Sequence, residues 1–215
     1  MELNKKLRKV LSRIDRISPR PVFYPLRMSK NEVRLFDKEI KDSIHYLEFG
    51  MGGSTFRALM KSKTKIYSIE SSKEWIDLMK KYLFIRLIKR KRLSLFHIDI
   101  GTTGKWGYPT NFDSKELFPN FSALPFQLIN KSNIDTVLID GRFRVACTLK
   151  TILECNSNKK LKILIHDFHR EKYHIVLKYL DKIDSADTLF VFKLKLGIDL
   201  HSVAEDFEKY KYTYD

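Results

Sequence analysis

The sequence predicts one α/β domain: an open, mostly parallel, doubly wound sheet with helices on both faces, preceded by an N-terminal helical extension. Three observations predict it. From Ile44 onward, short apolar and β-branched runs alternate with stretches of helical periodicity, which is how successive βαβ units read. The first run ends in a glycine turn, His45 to Thr55 (HYLEFGMGGST), that passes from a strand straight into a helix. Finally, the first five strand patterns each end in or beside an acidic residue: Glu48, Glu70, Asp99, Asp140 and Asp167. Buried sheet ends do not hold that many carboxylates without partners, and ligands of open α/β sheets sit beyond the C-terminal strand ends.

Bulk properties fit this class. The chain's 215 residues are enough for one full core, and 43% hydrophobic with 31% charged residues is ordinary for a globular protein. No apolar run approaches the ~18 residues of a membrane span. The first residues lack the apolar core of a secretory signal, so the expected location is cytoplasmic, or peripheral at the inner face of the membrane. Cys147 and Cys155 fall on one predicted helix, roughly 12 Å apart at ~1.5 Å rise per residue, too far for a disulfide. They read as small buried hydrophobes. The net charge of +15 admits a nucleic-acid or anionic-membrane partner. Apart from clusters at Lys5–Arg20 and Lys80–Arg92, however, the lysines are scattered rather than striped, and nucleic acid is the less favoured partner.

Residues 1–43 are read as a helical cap and 44–215 as the α/β unit. Leu3, Leu7, Val10, Leu11, Ile14 and Ile17 recur at helical spacing among basic residues. That amphipathic helix either docks on the domain or meets acidic lipid or a partner. Ser18–Met28 holds three prolines and is an extended connector. Ser29 and Glu32 have capping-box spacing and start a helix through Val33, Phe36 and Ile40.

In the α/β unit, strands are predicted at 45–49, 65–70, 92–99, 134–140, 161–167 and 188–196. Helices are predicted at 54–61, from Ser71 through Ile85, at 143–155, at 172–183 and from about 200. Residues 200–215 are read as a helix or a short edge strand, and His97 as a satisfied core residue. The excursion from Gly101 to Asn133 is far longer than the ~2–6 residues usual for such loops. Its glycines, prolines and six aromatics, Trp106 and Tyr108 among them, mark it as a binding loop with a short helix around 121–130.

The turn Glu48-Phe49-Gly50-Met51-Gly52-Gly53-Ser54 lacks the sixth-position glycine of the dinucleotide fingerprint, where Thr55 stands instead. An acid followed by x-Gly-x-Gly resembles motif I of class I S-adenosylmethionine (SAM)-dependent methyltransferases. The resemblance covers roughly residues 44–195. It implies a SAM site made by Glu48, Gly50, Gly52, Gly53, Ser54, Glu70, Asp99 and Asp140. Glu48 would hold the cationic amino-acid part, Glu70 the ribose hydroxyls and Asp99 the adenine.

In the catechol and macrocin (sugar) O-methyltransferases, which this pattern also resembles, acids ending the fourth and fifth strands hold magnesium. Here those are Asp140 and Asp167, which would take Mg²⁺ or Mn²⁺ although Phe168 replaces the usual neighbouring ligand. Without a metal, His166, His169 or Asp140 is the general base. Arg142 and Arg144 stand at a helix start, where the helix dipole disfavours cations, and so read as functional, meeting strand-end acids or an anionic substrate. Arg142 is grouped with Asp140, Asp167 and His166 as catalytic, while Trp106, Tyr108, Arg144 and His169 are assigned to the acceptor. The expected activity is methyl transfer to a hydroxyl of a glycan, sugar or other small molecule. The alternatives are a nucleic-acid methyltransferase, or a non-catalytic binding module in polysaccharide assembly.

Overall fold

The computed structural model describes residues 10–11 and 13–214. Among them, one seven-stranded sheet runs in the order β3-β2-β1-β4-β5-β7-β6. The strands are β1 His45–Phe49, β2 Lys65–Glu70, β3 Leu93–His97, β4 Thr136–Ile139, β5 Lys162–Ile165, β6 Leu180–Ala186 and β7 Leu189–Leu194. The first five are parallel; β7 runs antiparallel between β5 and β6. The order reverses between β1 and β4, the crevice where such sheets bind ligands.

Eight α-helices carry the connections among the described residues: α1 Lys30–Ile40, α2 Gly53–Lys61, α3 Lys73–Lys80, α4 Leu83–Arg92, α5 Phe118–Ala123, α6 Pro125–Leu128, α7 Arg144–Cys155 and α8 Leu200–Tyr210. They cover both faces because the central strands are apolar on both sides. Leu47, Phe49, Val137, Ile139, Ile163 and Ile165 point into a core shared with α5, α7 and α8. Tyr46, Leu138 and Leu164 alternate with them and join α1 to α4 on the other face. Both cysteines are buried in the first core, and burial pushes the Cys155 thiol up to about 12.

The strand–helix order predicted from the sequence is present, with four differences. The helix predicted at 172–183 is a 3-10 segment, Glu171–Lys178, followed by β6. Only the first residue of β6, Leu180, is buried, and Asp181, Lys182 and Asp184 give it no apolar alternation to read. It is an edge strand, where exposed charge blocks further pairing. The predicted sixth strand is therefore the last, β7, and the antiparallel hairpin lies at 180–194, while residues 200–210 are helical. The helix opened at Ser71 starts one residue later, with Ser72 Oγ accepting from Trp75 N (3.1 Å). It breaks before Tyr82, the N-cap of α4. His97 is exposed at the end of edge strand β3, its Nε2 3.0 Å from Ser71 O, and is not a core residue.

The predicted N-terminal helix lies mostly outside the described residues. Positions 10–11 and 13–15 are helical, with Val10, Ile14 and Ile17 exposed. Asp15 faces inward and accepts from Val22 N (2.8 Å) and Phe23 N. No helix among the described residues is long and apolar enough to cross a membrane.

Candidate active site

A cleft of about 860 Å³ opens over the C-terminal ends of β1, β2, β4 and β5. Its floor is the glycine turn. Gly50 has φ +100°, and a Cβ there would lie 2.8 Å from Gly141 Cα, so glycines end both β1 and β4 where they pass closest. Gly52 is extended (φ −171°), and a Cβ on it would meet nothing within 4 Å. It borders open cleft, so a ligand can lie against the backbone there. Gly53 also lines the cleft, yet its missing side chain makes room for the backbone of Pro25 and Leu26, which crosses the start of α2.

Glu48 lies beneath this turn, fully buried and outside the cleft lining. Its carboxylate accepts from Tyr46 OH (3.0 Å), Ser54 Oγ (2.8 Å), Ser68 Oγ (2.7 Å) and Thr55 Oγ1. Burial outweighs those four hydroxyls and raises its pKa to about 7. Expected against a bound cation, Glu48 instead fastens the turn from below, and Ser54 reaches both it and the cleft.

Glu70 does line the cleft. Its Oε1 accepts from Ser71 N (2.8 Å) and Ser72 N (2.9 Å) at the start of α3, and burial keeps its pKa above the ordinary carboxylate value. Trp75 Nε1 donates to Met51 O (2.6 Å), tying α3 to the glycine turn. Asp99 stands apart: it is exposed, accepts from Gly101 N (2.9 Å), and does not line the cleft. β3 is an edge strand, with β2 between it and β1, whose end borders the crevice.

The opposite wall gathers Asp140, Arg142, Arg144, His166, Asp167 and Arg170. Two non-glycine residues there are left-handed, Phe143 and Asp167, both at φ 56°. Phe143 is the N-cap of α7 and is held by full burial against Phe118, Phe121 and Tyr214. Such a conformation costs of order 1–3 kcal/mol, and here it sets Arg144, 2% exposed, as the first residue of the helix.

Arg144 Nη2 lies 3.2 Å from Asp140 Oδ1 and 3.3 Å from Asp167 Oδ2. Arg170 Nη2 meets the same Asp167 oxygen at 2.9 Å. His166 Nδ1 is 2.9 Å from Asp140 Oδ1. Burial would raise the pKa of Asp140, but the His166 hydrogen bond and the charges of Arg144, His166 and Arg142 hold it below the ordinary range. Burial would lower His166; its bond to Asp140 and the charges of Asp140, Asp167 and Glu32 raise it instead.

Glu32 was not singled out as a site residue. It comes from α1, where it completes the predicted capping box with Ser29. Its Oε1 accepts from Thr188 N (2.9 Å) and Oγ1 (2.6 Å) in the β6–β7 turn and lies 3.5 Å from His166 Nε2. Burial opposes its charge, but those hydrogen bonds and His166 hold its pKa low. The imidazole thus lies between two carboxylates. A capping-box glutamate carries no sequence sign of that second role.

The mouth is formed by Pro25–Met28 and Gly104–Tyr108. Trp106 is left-handed (φ 63°) and 58% exposed, with Arg27 Cζ 5.3 Å from its ring centroid. Tyr108 lies under Arg142 Cζ at 4.2 Å. His169 is exposed and outside the cleft lining.

The residues do not fit the expected divalent metal. Mg²⁺ needs free oxygen donors in near-octahedral array, whereas the acids' Oδ1 (Asp140) and Oδ2 (Asp167) already face guanidinium or imidazole nitrogens. Phe168, in the neighbouring-ligand place, is buried and packs on His174, Phe190 and Phe192. Among the described residues no three His, Cys, Asp or Glu are grouped to hold an ion. The expected Mg²⁺ or Mn²⁺ at Asp140 and Asp167 therefore finds no support in this arrangement.

No family model and no curated protein matches the chain in sequence. Solved structures do match it. A methyltransferase-like protein from Silicibacter pomeroyi is 25% identical, with a TM-score of 0.75 over 89% of this chain and 98% of that one. An O-methyltransferase from Bacillus cereus, solved with S-adenosylhomocysteine, is 11% identical, with a TM-score of 0.52 over 91% and 93%. The second likeness bears on fold alone; together with the strand order and the glycine-floored crevice, the chain carries the fold of the class I SAM-dependent methyltransferase superfamily.

Proposed function

We propose that the protein is a SAM-dependent methyltransferase acting on a hydroxyl of a glycan, sugar or other small molecule. The observation that carries this reading is the two-sided cleft: an open glycine wall at Gly52 with Glu70 beside it, facing the Asp140–His166 pair. Its volume lies in the ~300–1,000 Å³ range of ligand sites, room for a cofactor and a small acceptor. The residues fit SAM, with Gly50, Gly52, Ser54 and Glu70 holding it. Bound there, SAM supplies an activated methyl group.

The chain's own residues do the rest. Asp140 Oδ1 is taken by His166 and Arg144, and the residue lines the cleft wall. An acceptor hydroxyl donating to the Asp140 carboxylate would be oriented by it and would give its proton to that carboxylate as its oxygen is methylated, while His166 and Arg144 hold Asp140 in place. Trp106 and Tyr108 offer faces on which a sugar ring stacks.

Thermal shift against SAM, S-adenosylhomocysteine, NAD and nucleotide sugars tests the reading. SAM and S-adenosylhomocysteine should each raise the melting temperature as mass action requires. Stabilisation by NAD alone would refute it, and stabilisation by SAM without methyl transfer to any hydroxyl acceptor would favour the binding-module alternative.

A further inference from the structure

Asp140 and Asp167 end neighbouring strands and converge on one point. Two carboxylates so placed cannot both stay ionised without a cation between them, and a hard divalent ion is one cation suited to such a pair. Here the cation belongs to the chain. Arg144 sends Nη2 to Asp140 Oδ1 (3.2 Å) and Asp167 Oδ2 (3.3 Å), Nε to Gly141 O (3.1 Å) and Nη1 to His166 O. Its guanidinium also faces the Tyr173 ring at 5.5 Å.

The group is therefore fixed by two strand-end carbonyls as well as by both acids, at the first position of α7. A guanidinium is never deprotonated in proteins, so no change of pH vacates the place. An incoming dication would also meet Arg142 and Arg170, which line the same wall.

We propose that Arg144 is a built-in cation doing the electrostatic work of a divalent ion, so that the Asp140–Asp167 pair takes no metal. Arg144 is then a positioning residue: it keeps Asp140 ionised and fixes that carboxylate in the cleft wall. The catalytic consequence, methyl transfer unaffected by EDTA, rests on the methyltransferase reading. The occupancy of the acid pair does not.

The test is titration with Mn²⁺, following free ion by electron paramagnetic resonance, on wild type, Arg144→Ala and the better space-filling Arg144→Gln. Wild type should leave the free-ion signal undiminished. Removing the guanidinium should create a site, with Mn²⁺ affinity at least tenfold above wild type, and adding Asp140→Asn should abolish it. Should Arg144→Ala fail to fold, Arg144→Gln carries the comparison. Mn²⁺ binding by wild type that disappears in Asp140→Asn overturns the proposal, and so does a folded Arg144 variant that gains no affinity. Either result leaves the SAM thermal shift untouched, so failure here is separable from failure of the methyltransferase reading.

Discussion

Replacing Glu48 with glutamine should remove a pH-dependent loss of stability. A carboxyl whose pKa rises from 4.5 unfolded to about 7 folded binds its proton more tightly in the native state. Stability is then greatest below 4.5, falls as pH rises from 4.5 to 7, and stays at the lower level above 7. At ~1.4 kcal/mol for each pH unit, the loss is ~3 kcal/mol, or very roughly 6–12 °C in melting temperature for a chain of this size. Glutamine keeps the shape and one acceptor oxygen. Serine and threonine hydroxyls can turn to accept from its amide, since each is donor and acceptor. Urea unfolding of both proteins at pH 5, 6, 7 and 8 reads the effect. The stability difference, wild type minus Glu48→Gln, should become more negative by most of that ~3 kcal/mol between pH 5 and 8, and other titrating groups cancel in it. A difference flat to within ~0.5 kcal/mol would mean that the four hydroxyls hold Glu48 ionised throughout, and the account of the turn as resting on a neutralisable acid would be wrong.

Four further outcomes test the site. Gly52→Val should fold with nearly wild-type stability, because its φ is open to any residue and its Cβ meets nothing, yet should weaken SAM binding by calorimetry at least tenfold; unchanged affinity would remove Gly52 from the cofactor wall. Gly53→Ala is its counterpart. Its Cβ runs into the Leu26 backbone, so it should cost ~1–3 kcal/mol in urea unfolding. Turnover should fail on the acid side with a midpoint above the ordinary histidine value of ~6.5, because protonated His166 holds Asp140 as a weaker base. Glu32→Gln removes one charge that raises His166, so the acid limb should move to lower pH, and a pH–rate profile that did not move would exclude Glu32 from the site.

The fold was legible where local chemistry states it. The short apolar runs at 45–49 and 65–70, the Ser29–Glu32 capping box and the glycine turn each declare themselves within a few residues. β6 did not, because an edge strand carrying Asp181, Lys182 and Asp184 buries too little to show a period. The binding half of the site was partly legible for the same reason. Glycines mark close backbone approach, but Gly52 and Gly53 look alike in sequence, and only the path of Pro25–Leu26 separates a glycine facing open cleft from one kept for a chain crossing.

The far wall depended on distance in sequence. Asp140, His166 and Asp167 were identifiable as polar strand ends, and two arginines beside a helix start violate the helix dipole, which marked them as engaged. Which acid each would meet is a property of neighbouring strand ends, and Glu32 reaches His166 only because α1 packs beside the β6–β7 turn. The dipole penalty at Arg144 is modest, ~0.3–1 kcal/mol, against two carboxylates whose mutual repulsion at a half-buried site would be larger without it. That inequality explains why a cation sits where helix chemistry asks for an acid: the strand ends, converging at one point, set the charge there, and the helix start accommodates it.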